Sequence, residues 1–255
     1  MAFDTIRRDI RAIRERDPAV RGVAEIWLAY PGFHAVLLHR VAHRLWKRNW
    51  RLSARVLSHF ARFLTGVEIH PAAKIGCGFF IDHGTGVVIG ETSRIGDNVT
   101  LYHGVTLGGI APAIDTANQV DLKRHPTLED GVIVGSGAQV LGPITLGRNS
   151  RVGANSVVLR DVPAGATVVG NPARVARARK GMDAKFEAYG TSAAELSDPV
   201  ARVIDGLMEQ VAGLQARIAD LEGRREQSDD RLTPPWRDDA DADPAPRPPV
   251  AKDQL

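Results

Sequence analysis

Four histidines, His70, His83, His103 and His125, stand out in a stretch otherwise built from small, branched and glycine residues. Two have neighbours suited to chemistry: Asp82–His83 in "IDHGTGVVIG" and Arg124–His125 in "KRHP". A neutral imidazole can take a proton from an alcohol when a carboxylate holds its other ring nitrogen. Arg124 offers a fork-shaped carboxylate binder beside a second imidazole. Each of these residues also has a plainer reading: His83 as a surface turn histidine, His103 as a packed turn residue, and Arg124 and His125 as solvated loop residues. No Ser or Cys stands beside His83 in a nucleophile arrangement, so any transfer through it is expected to be direct. A metal is not expected. His39 and His43 have ligand spacing on a helix, but no cysteine or acid accompanies them, and a packed helix face fits better.

The elements that must position these residues follow from a six-residue beat. Ile69, Ile75, Ile81 and Val87 are six apart; after a two-residue slip so are Ile89, Ile95, Leu101 and Leu107. The beat resumes at Leu128, Val134, Val140, Leu146, Val152, Val158 and Ala164. A period of six fits neither a helix nor an amphipathic strand. It fits a parallel β-helix, with one short strand and a turn per unit and three units per triangular coil. Such a coil spans eighteen residues before loops, so a carboxylate backing His83 is expected about that far away. Glu68, fifteen residues back, is the candidate. His103, twenty residues on, lies about one coil above His83. A β-helix has no deep internal pocket, so its sites must lie on outer walls or between packed prisms. Residues 108–127 interrupt the beat and are expected to loop out, where binding residues often lie. Pro163 and Pro172 close the repeats at exposed strand edges.

The fold class is thus mainly β, flanked by helices. Residues 1–66 carry apolar residues at three- and four-residue steps and read as a helical N-terminal domain, with Asp17–Pro18 as a helix start and Pro31–Gly32 as a break. Residues 67–178 form the β-helix. Within 179–225, Val200, Ile204, Leu207, Val211, Leu214, Ile218 and Leu221 make a heptad seam that predicts a coiled coil. Residues 226–255, with six prolines and seven aspartates, are expected to be disordered. Thirteen Lys/Arg against five Asp/Glu in residues 1–66 read as solvated helix faces, not a nucleic-acid surface. No signal peptide or membrane span is legible, and the single Cys77 cannot form an internal disulfide. A cytoplasmic protein is expected.

"IHPAAKIG", "DHGTGVVIGET", "VTLGG", "KRHP" and "GAQVLGPITLGRNSRVGANSVV" with "VPAGATVVGNPAR" together resemble the serine O-acetyltransferases of the hexapeptide-repeat superfamily. The resemblance covers about residues 12–176. It implies a left-handed β-helix, an exception to the right-handed crossover rule, assembled as a homotrimer. Acetyl-CoA would lie in a groove between prisms and give its acetyl group to L-serine for cysteine synthesis. By the same resemblance His83 is the general base, backed by Glu68 where the family commonly has Asp. Asp17, Asp82, Arg124 and His125 surround serine, and Gly109, Ser136 and Ala138 line CoA. Arg174, Arg177, Arg179 and Lys180 are candidates for the CoA 3′-phosphate or a solvated cluster. The short N-terminal domain points to a trimer rather than the hexamer of long forms. The terminal Leu255, where long forms end in isoleucine, leaves O-acetylserine sulfhydrylase a doubtful partner. The alternative is acetyl transfer to a sugar or another small alcohol on the same scaffold.

Overall fold

Gly66 marks the point where the chain stops being helical. Its φ of +70°, a left-handed conformation that glycine adopts without strain, closes the helix before it, and its N–H donates to the Arg62 carbonyl at 2.8 Å. The computed structural model describes residues 2–110, 122–178, 207–215, 217, 218 and 221. Four helices precede Gly66: α1 (Ala2–Arg16), α2 (Val23–Ala29), α3 (Pro31–Lys47) and α4 (Arg51–Thr65). Pro31 sits in the first turn of α3, where its missing N–H costs nothing. Asp17 does not start a helix, contrary to the sequence expectation. Its N–H continues α1 by donating to Ile13, and its Oδ1 accepts from Ala19 N–H at 2.8 Å, an Asx turn that ends the helix.

After Gly66 the chain winds into a three-faced parallel β-helix. One face stacks the strands Glu68–Ile69, Val88–Ile89, Thr106–Gly108, Gln139–Leu141 and Val157–Val158. The second stacks Lys74–Ile75, Arg94–Ile95, Thr127–Leu128 and Thr145–Leu146. The third runs from Phe80–Ile81 through Thr100–Leu101, Ile133–Val134 and Arg151–Val152 to Ala166–Gly170. The aliphatic of each unit points inward, so Ile89, Leu101, Leu107, Leu128, Val140 and Leu146 are almost fully buried in one continuous core. The expected beat fails at its end. Ala164 is exposed, and Val162 bridges to Leu146 in its place. The last coil is two residues short and closes on an antiparallel strand, Ala173–Ala178.

Helices α1 and α3 pack against Phe80–Ile81 of the third face, and α3 and α4 against Glu68–Ile69 of the first. Gly32 carries the tightest contact: a Cβ there would lie 2.2 Å from the Ile81 carbonyl oxygen, so α3 starts directly on the strand that leads to Asp82. Buried Asp9 joins α1 to α3 through Arg40 Nη2 at 2.8 Å and accepts from Gly78 N–H at 2.8 Å. A second unit, Val200–Leu255, is described only in part. Residues 207–215 are helical, and Leu207, Val211, Leu214, Ile218 and Leu221 are 52–63% exposed. Val200, Ile204, the interior of the inserted loop (111–121) and residues 226–255 lie outside the described residues.

His39, 4% exposed on α3, stacks 5.7 Å from His43, which donates from Nδ1 to the Pro71 carbonyl at 2.8 Å. Burial first, then the nearby His43 and Arg40, push His39 down to about 3. Unfolding therefore takes up a proton at this site between about pH 3 and the free-histidine value near 6.5, and stability falls as pH drops through that window. At pH 5 the loss is on the order of 2 kcal/mol. A His39→Leu variant is expected to lose less stability than the wild type between pH 7 and pH 5 in thermal denaturation. An equal loss in both would remove His39 as a cause.

Candidate active site

The two-residue slip in the beat is the corner that carries Asp82–His83. Glu68 pairs with Val88, twenty residues on, whereas Val88 pairs with Thr106, eighteen on. His83, Gly84 and Gly86 have φ of 60°, 80° and 77°, so the extra residues bulge outward between the third and first faces. The His83 side chain is 61% exposed. Phe80 pairs with Thr100 and Thr100 with Ile133, which places His83, His103 and Ser136 in one column along this edge. The His83 and His103 rings meet edge to face with centroids 5.6 Å apart.

Acids converge on the same edge. His83 Nε2 lies 3.8 Å from Asp82 Oδ2, too long for a hydrogen bond but close enough for attraction. Burial raises Asp82 above the usual carboxylate range, and the negative charge of Asp17 raises it further, against the pull of His83. Tyr30, the residue before α3, donates its hydroxyl to Asp17 Oδ2 at 2.6 Å. Burial, then that bond, push the Tyr30 phenol upward, so it remains a donor. Two carboxylates from separate segments, one pinned by a phenol, form a receptor suited to an ammonium group. The sequence reading missed Tyr30, because a tyrosine at a helix boundary carries no spacing signal.

The second cluster occupies the other edge of the first face, where the chain turns onto the second. The Arg124 guanidinium pairs with Glu91. Thr92 Oγ1 accepts from the N–H groups of both Arg124 and His125 at 3.0 Å. His125 Nδ1 accepts from Thr92 N–H at 3.2 Å, which leaves the Nε2 proton as its donor. Burial, then the charge of Arg124, push His125 down to about 4, so it is neutral at physiological pH. Gly90 makes the room: a Cβ there would fall 2.0 Å from His125 Cδ2. A cation and a neutral imidazole donor side by side suit a carboxylate. Glu91 and Thr92, which fix both, were also missed; only the coil register shows that they lie beneath Arg124.

Other expected site residues fall less simply. Glu68 does not meet His83: its carboxylate is held 2.8 Å from Arg62 Nη1, and no hydrogen bond or ion pair joins it to His83 among the described residues. Arg62 lies in the last turn of α4 and reaches Glu68 across the Gly66 turn. Gly109 is exposed beside the Arg124 carbonyl, and Ser136 is half-buried in the His83 column. Ala138 is a core residue with no exposed surface, and its backbone pairs with Thr106 and Gly135, so it offers CoA no side-chain contact. Among the described residues no three His, Cys, Asp or Glu side chains gather in a way that could hold a metal ion. No described helix is long and apolar enough to cross a membrane.

A coil of six-residue units with clustered titratable side chains on its edges fits a hexapeptide-repeat transferase, and the family description "Bacterial transferase hexapeptide (six repeats)" matches residues 125–160. A second, "Serine acetyltransferase, N-terminal", matches residues 2–37. The serine acetyltransferase of Mycobacterium tuberculosis is 51% identical over 212 residues, 83% of this chain and 87% of the relative. That of Bacillus subtilis is 46% identical over 224 residues, 88% of this chain and 98% of the relative. Among solved structures, Neisseria gonorrhoeae serine acetyltransferase in complex with serine matches with a TM-score of 0.63 and 42% identity over 68% of each chain. A serine acetyltransferase complex with CoA matches at 0.61 and 45% identity, again over 68% of each chain.

The chain belongs to the serine acetyltransferase family. The prism is accordingly a left-handed β-helix. The enzyme transfers the acetyl group of acetyl-CoA to the hydroxyl of L-serine, giving O-acetyl-L-serine for cysteine biosynthesis, which sets aside a sugar as the acceptor.

Proposed function

We propose that each active site is assembled between two copies of this chain in a homotrimer. The observation that carries this reading is the split of site residues between two edges of one prism. His83, Asp82, Asp17 and Ser136 lie along one edge of the first face; Arg124, His125 and Gly109 lie along the other. About five residues of strand separate the edges, roughly 16 Å at 3.3 Å per residue, far longer than a serine molecule. Three prisms around a three-fold axis, first faces inward, set the first edge of each copy against the second edge of its neighbour. Serine and acetyl-CoA would then share one groove. Exposed apolar residues support such contacts. Leu52, Val56, Phe60, Phe63 and Leu64 line α4, which leads into the first face, and are 51–82% exposed. Three parallel copies of the heptad helix would cover the exposed Leu207, Val211, Leu214 and Ile218 in a three-stranded coil.

In this groove Asp82 and Asp17 hold the serine ammonium, while Arg124 and His125 hold its carboxylate. That presents the hydroxyl to His83. Nε2 is the ring nitrogen turned toward Asp82, so it is the one that takes the serine proton as the serine oxygen attacks the thioester carbonyl. The new C–O bond forms, the C–S bond breaks, and the imidazolium returns the proton to the departing sulfur. Free CoA and O-acetylserine leave, with His83 neutral again. Glu68, released from Arg62, is the carboxylate proposed to back Nδ1. No Ser hydroxyl or Cys thiol bonds the His83 ring among the described residues, which favours direct transfer over an acetyl-enzyme. A reducing cytoplasm suits the lone Cys77.

The test mixes His83→Ala with Arg124→Ala and assays them at serine near the wild-type KM, where each variant alone has little activity. Refolded together, they should restore activity at about one site in four, because random trimers place an intact His83 edge against an intact Arg124 edge at that frequency. No recovery would mean that one chain supplies the whole site.

A further inference from the structure

The second face carries a charge arrangement that acetyl transfer does not use. Lys74 and Arg94 are direct partners in parallel register, so two cations stand one above the other across a strand spacing of about 4.8 Å. Like charges stacked across a ladder are destabilising. Neither pairs with a carboxylate among the described residues. Arg51, laid 4.1 Å from the Trp46 ring centroid, and Lys123 complete the walls of a cleft of about 360 Å³. Lys123 is held at the wall by donating to the carbonyls of Thr92 at 2.8 Å and Pro126 at 3.0 Å. Burial, then the charge of Arg94, lower it to about 8. Glu91 also lines the cleft, but its carboxylate is taken up by Arg124.

We propose that this cleft is a binding site for a doubly charged oxyanion of the sulfate or phosphate class, held by Lys74, Arg94, Arg51 and Lys123. Four cations converge there with no carboxylate paired to any of them among the described residues, an arrangement that costs stability until an anion fills it. The volume is at the lower end of small-ligand sites. The cleft opens on the second face at the first two coils, whereas Gly109 and Ser136 lie on the third coil, at the edges of the first face. Glu91, Thr92 and Lys123 bring one wall of the cleft up to the Arg124 cluster, whereas Lys74 and Arg94 stand on the second face itself, away from Gly109 and Ser136. The same charges could receive a phosphate of CoA, and the experiment distinguishes the two sources.

Thermal unfolding of the full-length protein is followed in sodium sulfate, in sodium phosphate and in sodium chloride of matched ionic strength. At about tenfold excess over Kd the oxyanions should raise Tm by roughly 2–4 °C above chloride. The Lys74→Gln/Arg94→Gln double variant should lose that shift while keeping its acetyl-CoA affinity and serine turnover within about twofold of the wild type; Arg94→Lys should keep the shift. The double variant should also be at least as stable as the wild type at low salt, since the stacked repulsion is gone. An equal response to chloride, or a shift retained in the double variant, would overturn the site. So would acetyl-CoA affinity falling together with the sulfate response, which would make the cleft part of the CoA groove. Lower low-salt stability of the double variant would show that the cations serve the fold and would equally overturn the proposal.

Discussion

Replacing His83 by alanine is expected to lower kcat by about 10²–10⁴-fold, with the KM values for serine and acetyl-CoA changed far less. Serine's hydroxyl is a poor nucleophile at neutral pH, while the thioester is already activated, so the reaction needs a proton acceptor more than a covalent relay. The exposed His83 ring stands on the outward bulge of the coil, with Asp82 beside it and, among the described residues, no hydrogen-bond partner that a structural role would need. Glu68→Gln should cost less than His83→Ala, because the imidazole stays in place and loses only the carboxylate proposed to orient it and to stabilise its protonated form. Steady-state kinetics on both variants, with a search for ping-pong behaviour, check the mechanism. A near-normal kcat in His83→Ala, or an acetyl-enzyme trapped in the wild type, would reject it.

Arg124→Ala is expected to act through serine binding. KM for serine should rise by roughly 10–100-fold, the range for losing a hydrogen-bonded charge partner of a carboxylate, with acetyl-CoA affinity little changed. The same substitution leaves Glu91 without its cation beside the serine carboxylate, so repulsion adds to the lost attraction. His125 alone cannot substitute: burial keeps it neutral at physiological pH, so it donates a hydrogen bond but supplies no charge. Measuring KM for serine and Kd for acetyl-CoA separates the effects. A variant whose KM for serine is unchanged while its acetyl-CoA affinity drops would place Arg124 in the CoA groove instead.

The six-residue beat determined the architecture by itself, because each inward aliphatic stacks on its counterparts in adjacent coils and no other fold uses that period. The beat also contained a two-residue slip but set it after Val87; in the structure Ile89, not Val87, follows Ile81 in the column, so the extra residues fall around Asp82–His83 and bulge outward there. The end of the column was misread at Ala164, since a coil two residues short leaves no mark in a run of small and branched residues. Asp17 looked like a helix cap because Asp–Pro serves at either boundary, and only the bond from its N–H to Ile13 decides which. The family motifs supplied roles, and the fold decided the neighbours. Tyr30 reaches Asp17 only because the absent Cβ of Gly32 lets α3 rest on the strand before Asp82. Glu68 turns to Arg62 because α4 ends directly over it. Spacing along the chain says how many coils separate two residues but not which edge each one occupies, and that depends on how every turn closes. That is why His83 and Arg124, read from the sequence as one site, stand on opposite edges of a single prism.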